Sequence, residues 1–347
     1  MTSNNQERPY KPSWIDRFNN WVEKLPVSAW IFYVVFGIVL ILVQILFLWL
    51  DKGLHAEELL PVIIFNSVAT PFLLGLIHLL DTQAVTAVNS MKSMLTTTET
   101  EFDLNEYKLS NMPFLAPLIA GLTVTVLIIL APQVSIEPIR YEALKHLPVF
   151  TLVYHIIDKS SAFLLGVFIY HTIRQLRLVN GINSNHIRVN LFHLKPLQAF
   201  SRLTASTMVG LVVFVYLWMF INPELFTDPL LFGIIVGFTI LAVAIFVWPL
   251  WGVHRLMETE KERALHEIDL RLETVFEKLN QRLQEDNFSA IELLNGTISS
   301  LEIQHKRISA IPTWPWRSET ARLVLTAIAL PIMLMILQYF VFQALNR

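Results

Sequence analysis

The chain contains no cysteine. Disulfides, thiolate metal sites and a cysteine nucleophile are therefore excluded, and the redox compartment is left open. Charge is scarce: 16% of the 347 residues are Asp, Glu, Lys or Arg, against about 25% in soluble domains, while 54% are hydrophobic. A net charge of −2 gives no surplus of positive charge for a basic face, which argues against nucleic acid as a partner. Catalytic signatures are missing too. His254 is followed by Arg-Leu-Met-Glu, so there is no HExxH, and neither a Gly-rich nucleotide loop nor Gly-x-Ser-x-Gly occurs. No lysine lies between Arg317 and Arg347, which removes a retinal Schiff base from the last apolar stretch.

What the chain does have is long apolar runs. A bilayer core needs about 20 apolar residues in a helix. Seven stretches meet that need, at roughly 28–50, 59–80, 113–132, 148–172, 204–222, 229–251 and 319–342. The fourth is interrupted by Asp158 and Lys159. The first follows a polar segment, is too long for a signal-peptide core and has no small-residue cleavage site after it, so it reads as a retained span. The expected fold is all-α, with seven transmembrane helices.

Orientation follows from Lys and Arg, which favour the cytoplasmic side. With the N-terminus inside, the segments 1–27, 81–112, 173–203 and 252–318 carry 20 of them, and the outer segments carry 4. The C-terminus is then outside. The chain divides into an interfacial segment 1–27, a six-helix membrane domain 28–251, a cytoplasmic helical anchor 252–318 and a last span in 319–347. Within 1–27, Ser13-x-x-Asp16 reads as an N-cap with an acidic N3. Trp14, Phe18, Trp21, Val22 and Leu25 form an apolar stripe opposite Arg17, Glu23 and Lys24, as in a helix lying in the membrane interface, and Pro26 turns it into the first span.

In the anchor, Leu265, Ile268, Leu272, Val275 and Leu279 alternate three- and four-residue steps. After a break near Asp286, Ile291, Leu294, Ile298, Leu301 and Ile308 form a second seam, with His305 on the same side. Two short heptad segments predict a helical bundle, either within the chain or between subunits. Trp314-Pro315-Trp316-Arg317 then reads as an interfacial anchor that returns the chain to the membrane.

Ionisable groups inside a span are costly, so each is a functional candidate. His155-x-x-Asp158-Lys159 in the fourth span reads either as a polar cavity lining or as an ion pair that fixes packing. His78-x-x-Asp81 puts both groups on one helix face; with His171 it would make a three-ligand zinc site, while the plainer alternative is a helix end at the interface. Gly233-x-x-x-Gly237 permits close helix approach. The last span is apolar except for Gln338 within its deep part. That amide needs hydration or a partner. In a symmetric oligomer a ring of such amides would surround an aqueous path, with Met335 as an apolar constriction; an interhelical hydrogen bond is the alternative.

The inverted topology, the cytoplasmic excursion before the last span and the stretch Pro331-Ile332, five hydrophobic residues, Gln338-Tyr339 resemble the seven-transmembrane ion channels typified by insect odorant and gustatory receptors. Members of that family end in Thr-Tyr, five hydrophobic residues, Gln-Phe; Pro-Ile and Tyr replace three of those residues here. The resemblance implies a homotetrameric, ligand-gated cation channel and no enzyme. The excursion and its seams (Leu265, Ile268, Leu272, Val275, Leu279, Leu294, Ile298, Leu301) would hold subunits together, and Met335, Gln338 and Tyr339 would line the pore. A small-molecule pocket is expected in the outer half of spans two to six, at Tyr154, His155 and Asp158, Tyr216 and Trp218, and Phe232. Membrane lipid is the other expected partner, and no cofactor or metal is called for. The lack of cysteine and the compact loops suit a prokaryotic or unicellular member in the plasma (inner) membrane. A non-conducting sensor signalling through the cytoplasmic helices and an intramembrane metal hydrolase stay open as alternatives.

Overall fold

The structure is a computed structural model that describes residues 8–52, 59–92, 98–130, 143–186, 191, 195–221, 229–284 and 288–345. Of the side chains at 183–186, 195–197, 229–232, 234, 288–290, 331 and 334–345 nothing is described. All of the long elements are helices: α1 (Trp14–Glu23), α2 (Ala29–Leu50), α3 (Leu60–Met91), α4 (Glu99–Ser110), α5 (Leu115–Leu130), α6 (Pro148–His186), α7 (Lys195–Ile221), α8 (Pro229–Gln284), α9 (Phe288–Ser309) and α10 (Ser318–Leu345). Among the described residues, five helices are long and apolar enough to cross a membrane: α2, α3, α6, α7 and α8. They make the chain a multi-pass integral membrane protein. α5 is equally apolar but has 16 described residues, and α10 runs for 28 residues.

Why these helices stack as they do follows from their faces. α2 is apolar all round, and of its side only Gly37, Gln44 and Leu48 are buried. Trp30, Val34, Val35, Ile38, Leu42 and Leu46 are exposed, as suits a helix facing acyl chains. α3 is the opposite case, with buried residues along its whole length and α2, α4, α6 and α7 packed around it. Its Pro71 gives up one helix hydrogen bond, and its ring rests against Gly37 of α2, where a Cβ would lie 3.5 Å away in ordinary contact.

The closest backbone approach is between α5 and α6. A Cβ placed on Gly166 would come within 2.5 Å of the Ala120 carbonyl oxygen and 2.9 Å of Gly121 Cα. Gly233 and Gly237, by contrast, meet nothing within 4 Å among the described residues. α6 starts on Pro148, where a missing N–H costs nothing, and Asp51 from the end of α2 caps it: the Phe150 N–H donates to Asp51 Oδ2 at 2.7 Å.

α8 is a single helix of 56 residues that passes through Pro249 without ending. At 1.5 Å per residue it is about 84 Å long, more than twice a hydrocarbon core of about 30 Å. Its projecting half returns as α9, antiparallel and packed along it. Leu265, Ile268, Leu272 and Val275 meet Leu301 and Ile308 in one apolar cluster with Leu191. Ile298 is also buried, and Leu279 and Leu294 are half-buried toward the tip. The two heptad segments thus pack on each other as a hairpin within the chain. Lys261 closes its base by donating to the carbonyls of Ser309 (2.6 Å), the last residue of α9, and Ile311 (2.9 Å) just beyond it.

Candidate functional site

The densest polar chemistry lies at the end of the bundle that carries α1 and α4. Ser13 caps α1 as expected, and its N–H donates to Asp16 Oδ2 at 2.7 Å in a capping box. The same Oδ2 also accepts the Met112 N–H at 2.9 Å, and Ser13 N–H reaches the Met112 carbonyl at 3.0 Å. Asp16 therefore caps its own helix and clasps it to the segment joining α4 and α5. Tyr107 donates to the Tyr10 carbonyl at 2.8 Å, Tyr10 donates to the Asn111 carbonyl at 3.0 Å, and the Arg174 guanidinium donates to the Tyr10 hydroxyl. Burial pushes the Tyr10 pKa up to about 12, with Arg174 opposing, so Tyr10 keeps the proton this arrangement uses.

The apolar stripe of α1 docks on the bundle. Ile15 and Val22 are fully buried, Trp14 and Phe18 pack on the main core, and Trp21 stays exposed.

Beside this clasp, His78 and Asp81 take different partners. His78 Nδ1 is 3.1 Å from the Tyr33 hydroxyl and its Nε2 is 3.1 Å from Glu23 Oε1. Tyr33 is also 3.2 Å from Asn19 Oδ1. A neutral His78 accepts the single Tyr33 proton and donates to Glu23; a charged His78 donates from both nitrogens, and Tyr33 then donates to Asn19. Asp81 turns to α6, where its Oδ1 is 2.8 Å from the buried His171 Nε2. Gln175, one turn further on, donates to the Leu80 and Leu109 carbonyls at 3.4 and 3.5 Å. Shared spacing on α3 thus becomes two separate tethers, one to α1 and α2 and one to α6. Among the described residues no group of three His, Asp or Glu side chains could hold a metal ion.

Asp16 gives this end of the molecule a pH dependence. Burial raises its pKa above the ordinary 3.8, against the hydrogen bonds from Met112 and Ser13 and the attraction of His171. The folded state therefore holds this proton to higher pH than the unfolded state does. Stability from this group is greatest below 3.8 and falls as pH rises through the raised value, beyond which it is level. Hydrogen exchange at the Met112 amide is expected to quicken, beyond its intrinsic rise, as pH climbs from about 4 toward neutrality. Asp16→Asn, which keeps an acceptor oxygen, is expected to remove that extra rise.

A second cluster joins the α8–α9 hairpin to α10. Trp314 lies parallel to His254 with ring centres 4.0 Å apart, and 4.2 Å from Trp316, which in turn stacks on Phe246 at 5.3 Å. Trp251 meets the edge of Trp314. Arg317 then donates to Gln198 Oε1 of α7 at 2.6 Å. The Trp-Pro-Trp-Arg segment is thus a stack clamped between α8 and α7, and His254, which carried no motif of its own, is its parallel partner. The signal was its position three residues after Trp251, on one helix face.

The remaining candidates are scattered. Tyr154 is buried in a cluster with Leu48, Leu59, Ile63 and Phe150, with Trp218 packed against it. His155 meets the Tyr154 ring edge-on at 5.4 Å. Asp158 pairs with its neighbour Lys159 at 2.9 Å. Tyr216 faces elsewhere, into a crevice of about 60 Å³ between α7, α8 and Ile328 and Ile332 of α10. So Tyr154, His155 and Trp218 come together and Tyr216 does not join them. The side chains of Phe232, Met335, Gln338 and Tyr339 lie outside the described residues, although all four positions are in helices. α10 packs chiefly along α7, and Leu323, Leu325, Leu330 and Met333 are exposed on it. No protein-family model, curated protein or solved structure matches the chain.

Proposed function

We propose that the chain is one subunit of a homotetrameric, ligand-gated cation channel, of the kind represented by insect odorant and gustatory receptors. In this reading it has seven spans, α5 and α10 included, with the N-terminus and the α8–α9 hairpin in the cytoplasm and the C-terminus outside a plasma membrane. The observation that carries it is the hairpin's continuity with α10. A rigid helix leaves the membrane, folds back on itself and passes through the Trp314–Trp316 stack straight into a helix supported mainly by α7. Such a helix has a face left for copies of itself, and its amide at Gln338 would then meet three others around an axis, flanked by Met335 and Tyr339.

Gating follows from differential affinity. A ligand held near Tyr154, His155 and Trp218 shifts the equilibrium only by binding one arrangement of α6 and α7 more tightly than the other. α7 is the element that touches both the Tyr154 cluster, through Trp218, and α10.

The hairpin's seam is used up internally, yet Phe276, Leu283 and Leu293 stay exposed near its tip. Exposed apolar side chains on a projecting element suit contact between subunits. Native mass spectrometry from nanodiscs is expected to show four copies, and Phe276→Glu with Leu293→Glu is expected to yield monomers. A monomeric wild-type chain would contradict the proposal.

A further inference from the structure

Beneath α1, a cavity of about 470 Å³ opens between α2, α3, α5 and α6, within the size range of ligand pockets. Leu122 and Ile156 line it and are 58% and 59% exposed, so its mouth faces sideways, toward the acyl chains of the bilayer. Apolar lining alone selects nothing there, because acyl chains are as apolar as the wall and burial against it brings no net hydrophobic gain. Selection falls to the polar groups of the wall.

Those groups are unbalanced toward donors. Thr70 is 8% exposed, lines the cavity, and its hydroxyl has no hydrogen-bond partner among the described residues. Trp14 is also in the wall, and its buried indole N–H has no acceptor among the described residues. Thr125 and Ser160 spend their protons on the carbonyls of Gly121 (2.9 Å) and Ile156 (2.6 Å). Lys159 brings a positive charge to the wall, and its partner Asp158, at 2.9 Å, is not part of that wall. A buried donor without a partner in an apolar setting costs free energy that an incoming acceptor recovers.

We infer that this cavity binds a single-chain fatty carboxylate, with its chain between α5 and α6 and its head accepting from Trp14 and Thr70 near Lys159. Occupancy would brace α1 against the bundle, since Trp14 belongs to α1 and its ring lies 6.0 Å from that of Phe163 on α6. The site shares no residue with the Tyr154 cluster, and its occupancy is read without any current.

The test uses the full chain in phosphatidylcholine nanodiscs with a photoactivatable hexadecanoic acid. Saturable labelling of peptides carrying Leu122 and Ile156 is expected, with competition by unlabelled hexadecanoate and not by hexadecane or added phosphatidylcholine. Thr70→Val keeps nearly the same volume and is expected to weaken hexadecanoate competition about tenfold. Thr86→Val, on the same helix outside the cavity, is expected to leave it unchanged. Labelling that never saturates, competition by hexadecane or phosphatidylcholine equal to that by hexadecanoate, or an unchanged Thr70→Val would each overturn the assignment.

Discussion

Gly166→Val is expected to be the most damaging single substitution in the bundle. The Cβ alone would lie 2.5 Å from the Ala120 carbonyl oxygen and 2.9 Å from Gly121 Cα, both backbone atoms of α5 that have no rotamer to change. Overpacking a core costs about 1–3 kcal/mol, and here α5 as a whole must move away. Its principal neighbour is α6, so little else holds it in place. We expect a destabilisation of about 3 kcal/mol, at the upper end of that range, seen as a lowered midpoint in detergent and as loss of monodisperse protein. Gly237→Val serves as the comparison, since among the described residues nothing lies within 4 Å of the added carbon. It should leave the fold of the monomer intact.

The second large effect is expected from His171→Ala. Removing one member of a buried hydrogen-bonded pair costs about 1–3 kcal/mol, because its partner is left buried and unsatisfied. The Asp81 side chain keeps 14% exposure, so some water reaches it and a loss of about 2 kcal/mol, within that range, is expected. Asp81→Asn with His171→Gln restores a neutral hydrogen bond between the same helices. The double variant is expected to be more stable than His171→Ala alone, by unfolding midpoints in the same detergent. Equal losses in both would mean that the pair contributes packing volume and no hydrogen-bond stabilisation.

How far the fold could be read in advance depended on whether the deciding partner was local. The apolar runs at 28–50 and 59–80 were legible because a membrane leaves helices few alternatives, and α2 and α3 lie where those runs do. Ser13 and Asp16 were legible as a cap for the same reason: the partners are three residues apart. Asp16's second partner, Met112, is 96 residues away, and the cap on α6 reaches back 99 residues to Asp51. Nothing in the local pattern marks either. The fate of His78 and Asp81 shows the same limit: helical spacing placed them on one face, but which neighbour each would find was decided by the packing of α2 and α6 around α3. The hairpin seam was legible as a heptad pattern, and its closure within the chain was decided by α8 continuing unbroken to Gln284. α4 carried no periodicity that announced it. Thr98 and Glu101 form a capping box at its start, a local signal of the same kind as that at Ser13 and Asp16. The pocket residues were chosen by depth and polarity, and depth alone does not say which side of α7 a residue faces; hence Trp218 joins Tyr154 and Tyr216 does not.

The central claim, a conducting pore lined by the last helix, is tested most directly by one substitution in this cysteine-free chain. Gln338→Cys would place the only thiol of the protein at the proposed constriction, where a membrane-impermeant, positively charged thiol reagent reaches it only through water. Reconstituted wild-type protein is predicted to carry cation current that the reagent leaves unchanged, and Gln338→Cys to carry current that the reagent blocks from the C-terminal side. An absence of current in wild-type protein, or current through Gln338→Cys that the reagent never alters, would contradict the account.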